Sequence, residues 1–206
     1  MVAFPDPATR NKLAATCLRC PALVEARECI SWGNGPLDAD LVVVGEAPAA
    51  GDPDTPPWKG GNWTGMAYTS KHSGQKVRRL VADLGYAESC YYTNAVKCYP
   101  KDGESNRAPT DTELENCRTH LETELSQIQP RAVLTTGKHA TKTVLTMESR
   151  RLDGFLDAVL TPIDCPGLGV TVLPLLHPSY QAVWLSRLGY TYEAYLDAIR
   201  EQVAAL

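Results

Sequence analysis

The sequence alternates short apolar runs with longer amphipathic segments. Its best-defined apolar run is Leu-Val-Val-Val at residues 41–44, which stops abruptly at Gly45, Glu46 and, two residues later, Pro48. Four consecutive apolar residues of this kind are typical of an interior parallel strand buried on both faces. Ligands of open α/β sheets bind at the carboxyl ends of such strands, so Glu46 is the first candidate for chemistry. The alternative is a carboxylate that only caps the next element.

Three further segments predict strands and four predict helices. The strands are expected at residues 91–98, 131–136 and 169–176 because of their aromatic, β-branched and apolar content. The helices are expected at residues 73–84, 110–127, 138–145 and 191–204, and the second of them opens with a Thr-x-x-Glu capping box. This alternation predicts an α/β fold, a three-layer αβα sandwich with a central, mainly parallel four-stranded sheet.

Residues 49–69 break the alternation. Glycines and prolines recur there too closely for regular structure, and Trp58, Trp63 and Tyr68 are interspersed among them. Long loops in compact domains are mostly functional or disordered, and the three aromatic residues favour an ordered binding loop.

Length and composition favour one soluble domain. The 206 residues contain no linker-like stretch, so we expect a single domain over residues 1–206 and a monomer. No apolar run approaches the ~18 residues of a membrane span. The first 16 residues lack the apolar core of a signal peptide, so we expect a cytoplasmic protein with reduced thiols.

The formal net charge of −4 gives no global attraction to nucleic acid. DNA binding would therefore require a local basic patch, and a solvated surface is the commoner fate of such short charge runs. Two sets of residues are candidates: Lys71, Lys76, Arg78 and Arg79, or Lys97, Lys101 and Arg107.

Polar residues stand in or just after three of the predicted strands. They are Glu46, Asn94 and His177. Together an acid, an amide and a histidine can polarise a carbonyl group and activate water. Taken singly, Asn94 could instead be a turn former and His177 a structural histidine.

Seven cysteines in a reducing compartment indicate metal binding or catalysis more than disulfides. Cys17 and Cys20 form a Cys-x-x-Cys pair, a spacing that lets two thiolates bind one ion. That pair is a weak signal when taken alone.

Together these motifs resemble the uracil-DNA glycosylase superfamily, specifically the iron-sulfur enzymes of its family four. Gly-Glu-Ala-Pro at residues 45–48 is similar to the first motif of that family, and His-Pro-Ser at residues 177–179 is similar to its last. The most specific likeness is the set formed by Lys97, Cys98, the Asn-Arg-Ala-Pro run at residues 106–109, Glu113 and Cys117.

The resemblance implies a monofunctional enzyme that removes uracil from single- or double-stranded DNA and leaves an abasic site. It assigns catalysis to Glu46 and His177, and substrate binding to Gly45, Ala47, Tyr68, Asn94 and Ser179. Trp63 is the alternative to Tyr68 as the residue that stacks on the base. Backbone amides near Ala47 and Ala49, and residues 179–187, are expected to contact phosphate and groove.

The resemblance also implies that Cys17, Cys20, Cys98 and Cys117 bind a [4Fe–4S] cluster of structural role. Residue chemistry alone leaves structural zinc as the alternative, because an all-sulfur site suits either metal. Cys29, Cys90 and Cys165 are expected to be packed thiols.

This chain departs from the family pattern at two places. Ala49 stands where the family usually has glycine, and the segment at residues 52–65 is longer and richer in Trp and Pro. Two alternative functions therefore stay open: a glycosylase for another deaminated base such as hypoxanthine, or a non-catalytic iron-sulfur protein that binds nucleic acid.

Overall fold

A central five-stranded sheet organises the computed structural model, which describes residues 2–103 and 105–206 and leaves out Met1 and Glu104. The strands of this sheet are β1 (Leu41–Gly45), β2 (Cys90–Asn94), β5 (Ala132–Thr136), β6 (Ile163–Cys165) and β7 (Val170–Leu175), and a small hairpin contributes β3 (Lys101–Asp102) and β4 (Ser105–Asn106). Their order in the sheet is β2-β1-β5-β7-β6.

The three-layer α/β prediction is confirmed, and the number of strands is corrected. The four predicted strands are all present and pair in parallel, whereas β6 joins the edge antiparallel to β7. The sheet therefore has five strands instead of four. With only three residues between Pro162 and Pro166, β6 is too short to give a periodic signal.

Helices cover both faces of the sheet. A 3₁₀ turn (Pro7–Thr9) precedes α1 (Pro21–Ala26), α2 (Gly61–Thr64), α3 (Ser73–Asp83), α4 (Asp111–Ile128), α5 (Lys138–Met147), α6 (Phe155–Ala158), α7 (Gln181–Arg187) and α8 (Tyr192–Ala204). Leu41 and Val43 pack in one core with α3 and α8, while Val42 and Val44 pack in a second core with α4 and α5. Successive β1 side chains thus enter opposite cores, as an interior strand requires.

Local capping explains where two of the helices begin. The Thr110 hydroxyl accepts from the Glu113 backbone N–H at 3.2 Å, and the Glu113 carboxylate accepts from the Thr110 N–H at 2.8 Å. This reciprocal pair is the predicted capping box, and it satisfies two donors at the start of α4. The Thr191 hydroxyl caps α8 by accepting from the Ala194 N–H at 3.1 Å, a single bond because alanine has no carboxylate to return.

The predicted strand over residues 91–98 is too long, because β2 ends at Asn94. The Ala95 N–H donates to the Gly45 carbonyl at 2.8 Å, and the Val96 N–H donates to the Glu46 carbonyl at 2.9 Å. The chain after β2 therefore folds over the end of β1, which fixes the backbone at Glu46.

The segment between β1 and α3 contains the short helix α2 and backbone bridges to neighbouring segments. Its Lys59 N–H and carbonyl groups, for example, bond to Pro57 and Asp52. This agrees with the expectation of an ordered loop. Among the helices of residues 2–103 and 105–206, none has both the length and the apolarity needed to cross a membrane.

Candidate active site

The carboxyl ends of β1 and β2 lie side by side, with Gly45 paired to Asn94 in the parallel register. Thr136 ends β5 next to Leu175 of β7, and His177 follows two residues after Leu175. The sheet thus brings the predicted polar residues to one edge, where a cavity of about 330 Å³ opens.

We call this space the strand-end cavity. Every residue to which the family resemblance assigns catalysis or substrate binding lines it: Gly45, Glu46, Ala47, Tyr68, Asn94, His177 and Ser179. A larger outer cleft of about 700 Å³ shares Glu46 and His177 with the cavity and also has Arg107, His139 and Trp184 in its walls. Glu46 and His177 therefore face both spaces.

Gly45 is required because two side chains lie close to its Cα. A Cβ atom built there would lie 2.4 Å from Oδ1 of Asn94 and 2.7 Å from the hydroxyl of Tyr68. Any larger residue would push the amide or the phenol away. The sequence marks this glycine as the end of the apolar run, and the structure shows that it leaves space for these two side chains.

Glu46 is only partly exposed, with 30% of its side-chain surface accessible. Within the described part of the chain its Oε1 atom is buried and accepts no hydrogen bond. Burial raises the pKa of this carboxyl group, and the nearby imidazole of His139, with Nδ1 at 3.7 Å from Oε1, lowers it. A carboxylate whose ionisation is opposed by desolvation suits general-base work.

A buried ion pair between Lys97 and Glu124 lies beside Asn94 and binds its backbone carbonyl. Lys97 Nζ donates to the Asn94 carbonyl, to the Thr93 hydroxyl and to Glu124 Oε2, each at 2.6 Å. Tyr91 completes the network through Glu124 Oε1 at 3.0 Å. Lys97 and Glu124 are 1% and 0% exposed, so Lys97 supports the site and is not a surface contact for DNA.

His177 is oriented by the chain that follows it. The Ser179 backbone N–H donates to Nδ1 of His177 at 3.2 Å, so Nδ1 is the acceptor nitrogen and the ring proton lies on Nε2. Burial lowers the pKa of His177, which favours the neutral ring. Gly137, at φ +91°, leaves space for the His177 side chain, because a Cβ atom at Gly137 would lie 3.0 Å from the Cβ atom of His177.

Tyr68 forms one wall of the strand-end cavity. Its hydroxyl hydrogen-bonds to Thr136 Oγ1 at 2.6 Å, and its ring packs edge-to-face against Tyr92. Its backbone has φ +54°, and the Arg78 guanidinium donates to its carbonyl at 2.9 Å. The lining of the cavity, as far as the structure describes it, includes Tyr68 and not Trp63.

Arg78 is 8% exposed and stacks over Tyr92 at 3.9 Å from the ring centroid. The sequence had included Arg78 in a candidate basic patch for DNA. Because the side chain is buried, Arg78 is not part of such a surface patch. Lys71, two residues before α3, and Lys76 and Arg79 of α3 are exposed. Together with Gln181 of α7 they line a third cavity of about 660 Å³, the α3–α7 groove.

Sequence reasoning missed three residues of this region. Ser31 lines the strand-end cavity, and its fully buried hydroxyl has no hydrogen-bond partner in the described residues. Thr136 anchors Tyr68, and His139 stands beside Glu46. No motif marks Ser31, but the position of Thr136 and His139 on either side of Gly137, at a strand end, could have indicated the other two.

The four expected cluster ligands lie in one region. Cys98 and Cys117 pack together with Leu23 and Val96, and Cys20 packs against them. The pKa of Cys98 is raised by burial and, less strongly, by the neighbouring Cys17 and Cys20, while a hydrogen bond from Arg27 lowers it. Burial raises the pKa of Cys117 to about 11. A cation would be needed to keep such thiols ionised.

Nitrogen donors point at these sulfur atoms. Arg27 donates to Cys98 Sγ at 3.1 Å, the Lys97 backbone to Cys117 Sγ at 3.4 Å, and Asn116 to Cys20 Sγ at 3.4 Å. Donors of this kind stabilise thiolates that bind an iron-sulfur cluster. In residues 2–103 and 105–206 no three metal-ligating side chains gather around a single ion position.

The remaining cysteines are placed differently. Cys90 and Cys165 are buried in the two main cores, in agreement with packed thiols. Cys29 is partly exposed, and its Sγ lies 3.8 Å from the Trp63 carbonyl.

The chain is similar to known proteins. The family model of the uracil DNA glycosylase superfamily matches residues 32–203. A type-5 uracil-DNA glycosylase from Pyrobaculum aerophilum is 31% identical over 223 residues, covering 94% of this chain and 90% of the relative. A type-4 uracil-DNA glycosylase from Thermotoga maritima is 31% identical over 165 residues, covering 80% of this chain and 77% of the relative. A type-4 enzyme from Archaeoglobus fulgidus is 28% identical over 172 residues, covering 82% of this chain and 79% of the relative.

Proposed function

The chain belongs to the uracil DNA glycosylase superfamily, and from that premise we propose that it hydrolyses the N-glycosidic bond of uracil in DNA and leaves an abasic site. The observation that carries the proposal is the meeting of Glu46, Tyr68, Asn94 and His177 in one cavity at the carboxyl edge of the sheet. This set supports catalysis over the alternative of a non-catalytic binding protein, because it supplies a carboxylate and a neutral imidazole donor.

Base recognition falls to Tyr68 and Asn94. An enzyme that acts on a base must rotate the nucleotide out of the stack, at a cost of about a few kcal/mol, and read its exposed edge. The half-buried Tyr68 ring lines the cavity and offers a face on which the base can stack. The Asn94 side chain, 5% exposed, can accept from uracil N3–H and donate to O4 at the same time.

His177 stabilises the leaving group. As the C1′–N1 bond breaks, its electron pair stays on the base, and negative charge develops on uracil O2. The proton on Nε2, fixed there by the Ser179 N–H, can be donated to that oxygen. A donor aimed at charge that forms in the transition state is worth about 3–4 kcal/mol when removed.

Glu46 acts on the water and the sugar. The water oxygen forms the new bond to C1′, and its proton passes to the Glu46 carboxylate. The same carboxylate offsets the positive charge of the oxocarbenium-like sugar, as carboxylates do in glycoside hydrolysis. Glu46 lines both the strand-end cavity and the outer cleft, which gives water a route to its carboxylate.

The α3–α7 groove is the proposed path of the DNA backbone beside the base site. Ser73 and Ser179, whose hydroxyl oxygens lie 3.5 Å apart, join the groove to the strand-end cavity. Lys71 and Lys76 supply positive charge there, in a chain whose net charge is −4, whereas Arg79 pairs at 2.8 Å with Asp83, which lines the same groove. Such a local patch binds phosphates without reading sequence.

Cys17, Cys20, Cys98 and Cys117 would hold a [4Fe–4S] cluster. A cluster of this kind takes one thiolate per iron, so its ligands need not surround one ion, whereas four zinc ligands must. The match of these four cysteines to the family pattern supports the cluster over zinc, and the N–H donors to Cys98 and Cys117 would stabilise the bound thiolates. When bound, it would tie the N-terminal segment and α4 to the turn that follows Asn94.

A second candidate is removal of another deaminated base such as hypoxanthine. Ala49, which stands where the family usually has glycine, lines the strand-end cavity, so the base site departs from the family pattern there. We further propose that the protein works as a monomer, because one chain supplies all the residues of the proposed mechanism.

A panel of oligonucleotides tests the proposed function. Each carries one uracil, hypoxanthine, thymine or cytosine in a fixed sequence, as a single strand and as a duplex, and abasic sites are counted after incubation with wild-type protein or Glu46→Gln. Abasic sites with uracil that fall sharply in Glu46→Gln would support the proposal. Excision of hypoxanthine alone would support the second candidate, and no excision of any base would overturn both.

A further inference from the structure

We propose that His139 is the positioning residue of Glu46: the imidazolium of His139 pairs with the Glu46 carboxylate and keeps it ionised in mildly acidic solution. The inference rests on the proposed function for its kinetic consequence, but the pairing itself does not. Neither the sequence motifs nor the names of the relatives assign a role to this histidine.

The geometry of the pair carries the inference. His139 lies in the first turn of α5, two residues after Gly137, and its Nδ1 is 3.7 Å from Glu46 Oε1. That oxygen is buried and has no hydrogen-bond partner in the described residues. A buried carboxylate oxygen without a donor is costly, so a cation at this distance is favoured.

The other ionisable groups around the two cavities are committed elsewhere or lie farther from Oε1. The Arg107 guanidinium is bound by both oxygens of Glu113, His177 accepts from Ser179, and the Tyr68 hydroxyl is bonded to Thr136. Lys138 and Asp153 also line the outer cleft. Within the described ranges, none of them forms an ion pair with Glu46.

The pairing is useful to the enzyme because burial alone disfavours the ionised base. Burial raises the pKa of Glu46 from its ordinary value of 4.5, and a protonated His139 beside Oε1 lowers it. The imidazolium then opposes protonation of the base, and activity extends to lower pH.

The kinetic test compares wild type with His139→Gln in single-turnover excision of uracil from pH 4.5 to 8.5. Losing the cation should raise the midpoint of the acid limb and slow excision about two- to fivefold near pH 5, the range that a partly exposed ion pair supplies. At pH 8, where histidine is neutral, the rates should agree. Profiles of the same midpoint would overturn the proposal.

Two further variants separate a charge effect from a structural one. His139→Lys keeps a cation at every pH and should restore the acid limb, whereas Lys138→Gln, on the neighbouring residue, should leave its midpoint in place. In the Glu46→Gln background, adding His139→Gln should not change the excision rate, because the carboxylate with which His139 pairs is already absent. An undiminished effect in that background would contradict action through Glu46.

A measurement without DNA makes failure of the pairing distinct from failure of the proposed function. The Glu46 carboxyl carbon, assigned in ¹³C-labelled protein by its loss in Glu46→Gln, is titrated by NMR in wild type and His139→Gln. An upward shift of its midpoint in the variant supports the pairing even if uracil is not the substrate. An unchanged midpoint overturns it even if uracil is excised.

Discussion

The Ser179 backbone N–H donates to Nδ1 of His177 at 3.2 Å and so determines which ring nitrogen carries the proton. The side chain of Ser179 is not needed for this, because the donor is backbone. The contact makes His177 a donor through Nε2 and orients that donor relative to the cavity. Ser179, two residues after His177, thereby determines the tautomer of the histidine in the proposed mechanism.

His177→Ala should slow excision by about 10²-fold or more, because the hydrogen bond forms mainly with the leaving anion. Binding of uracil-containing DNA should change little. Burial lowers the pKa of His177, so the neutral donor persists as the pH falls below the ordinary histidine value, and wild-type excision should not decline between pH 8 and about 6.5. Single-turnover rates and binding titrations check both points, and a loss confined to binding would make His177 a positioning contact.

Glu124→Gln should destabilise the fold strongly. It leaves the charge of Lys97 buried without a counter-ion, and breaking a buried pair costs about 3–5 kcal/mol. Urea unfolding measures the change. The matched control is Glu122→Gln on the same helix, which breaks the exposed pair with Arg118 and should cost at most about 1 kcal/mol. Equal losses in the two variants would refute the supporting role of the network beneath Asn94.

Lys71→Gln and Lys76→Gln should each weaken binding of DNA regardless of base. If each lysine neutralises one phosphate, the slope of log K against log salt should become shallower by about one per variant. Fluorescence anisotropy at several salt concentrations measures these slopes. Lys142→Gln, an exposed lysine of α5 on a different surface, provides the control. Identical slopes in all four proteins would place the DNA backbone elsewhere.

Purified protein should be brown and contain about four iron and four sulfide per chain, as a [4Fe–4S] cluster requires. Cys98→Ala should lose colour, solubility and stability, whereas Cys29→Ala should lose much less, because Cys29 is outside the proposed ligand set. Iron, sulfide and zinc analysis together with visible absorption decides the matter. Colourless wild-type protein with one zinc per chain would contradict the cluster.

Local signals made much of the fold predictable. The run at residues 41–44 and the Thr110 capping box each depend on neighbours in sequence, and both are present where expected. The strand over residues 91–98 was extended too far because Ala95 and Val96 are as apolar as strand residues. Their backbone N–H groups instead bond to Gly45 and Glu46, about 50 residues earlier, which no local pattern can indicate.

In the candidate site, as in the fold, local features were predictable from the sequence and contacts between distant segments were not. Strand ends could be located from the sequence, so Glu46, Asn94 and His177 were correctly expected to lie close together. Partnerships between distant segments, such as Glu46 with His139, were not predictable because they depend on how β5 and α5 pack beside β1. The roles assigned to all these residues, and the single domain over residues 1–206, stay predictions.

Asn94→Asp gives the most direct test of the central claim that the strand-end cavity reads and releases uracil. Aspartate keeps the acceptor for N3–H but replaces the amide donor with a second acceptor, which opposes uracil O4 and suits the N4 amine of cytosine. Mismatched polar groups in such sites change selectivity by ~10⁴ or more. Excision is measured on matched single strands that carry uracil or cytosine. We predict loss of most uracil excision and a weak gain of cytosine excision, and unchanged uracil excision would contradict the account.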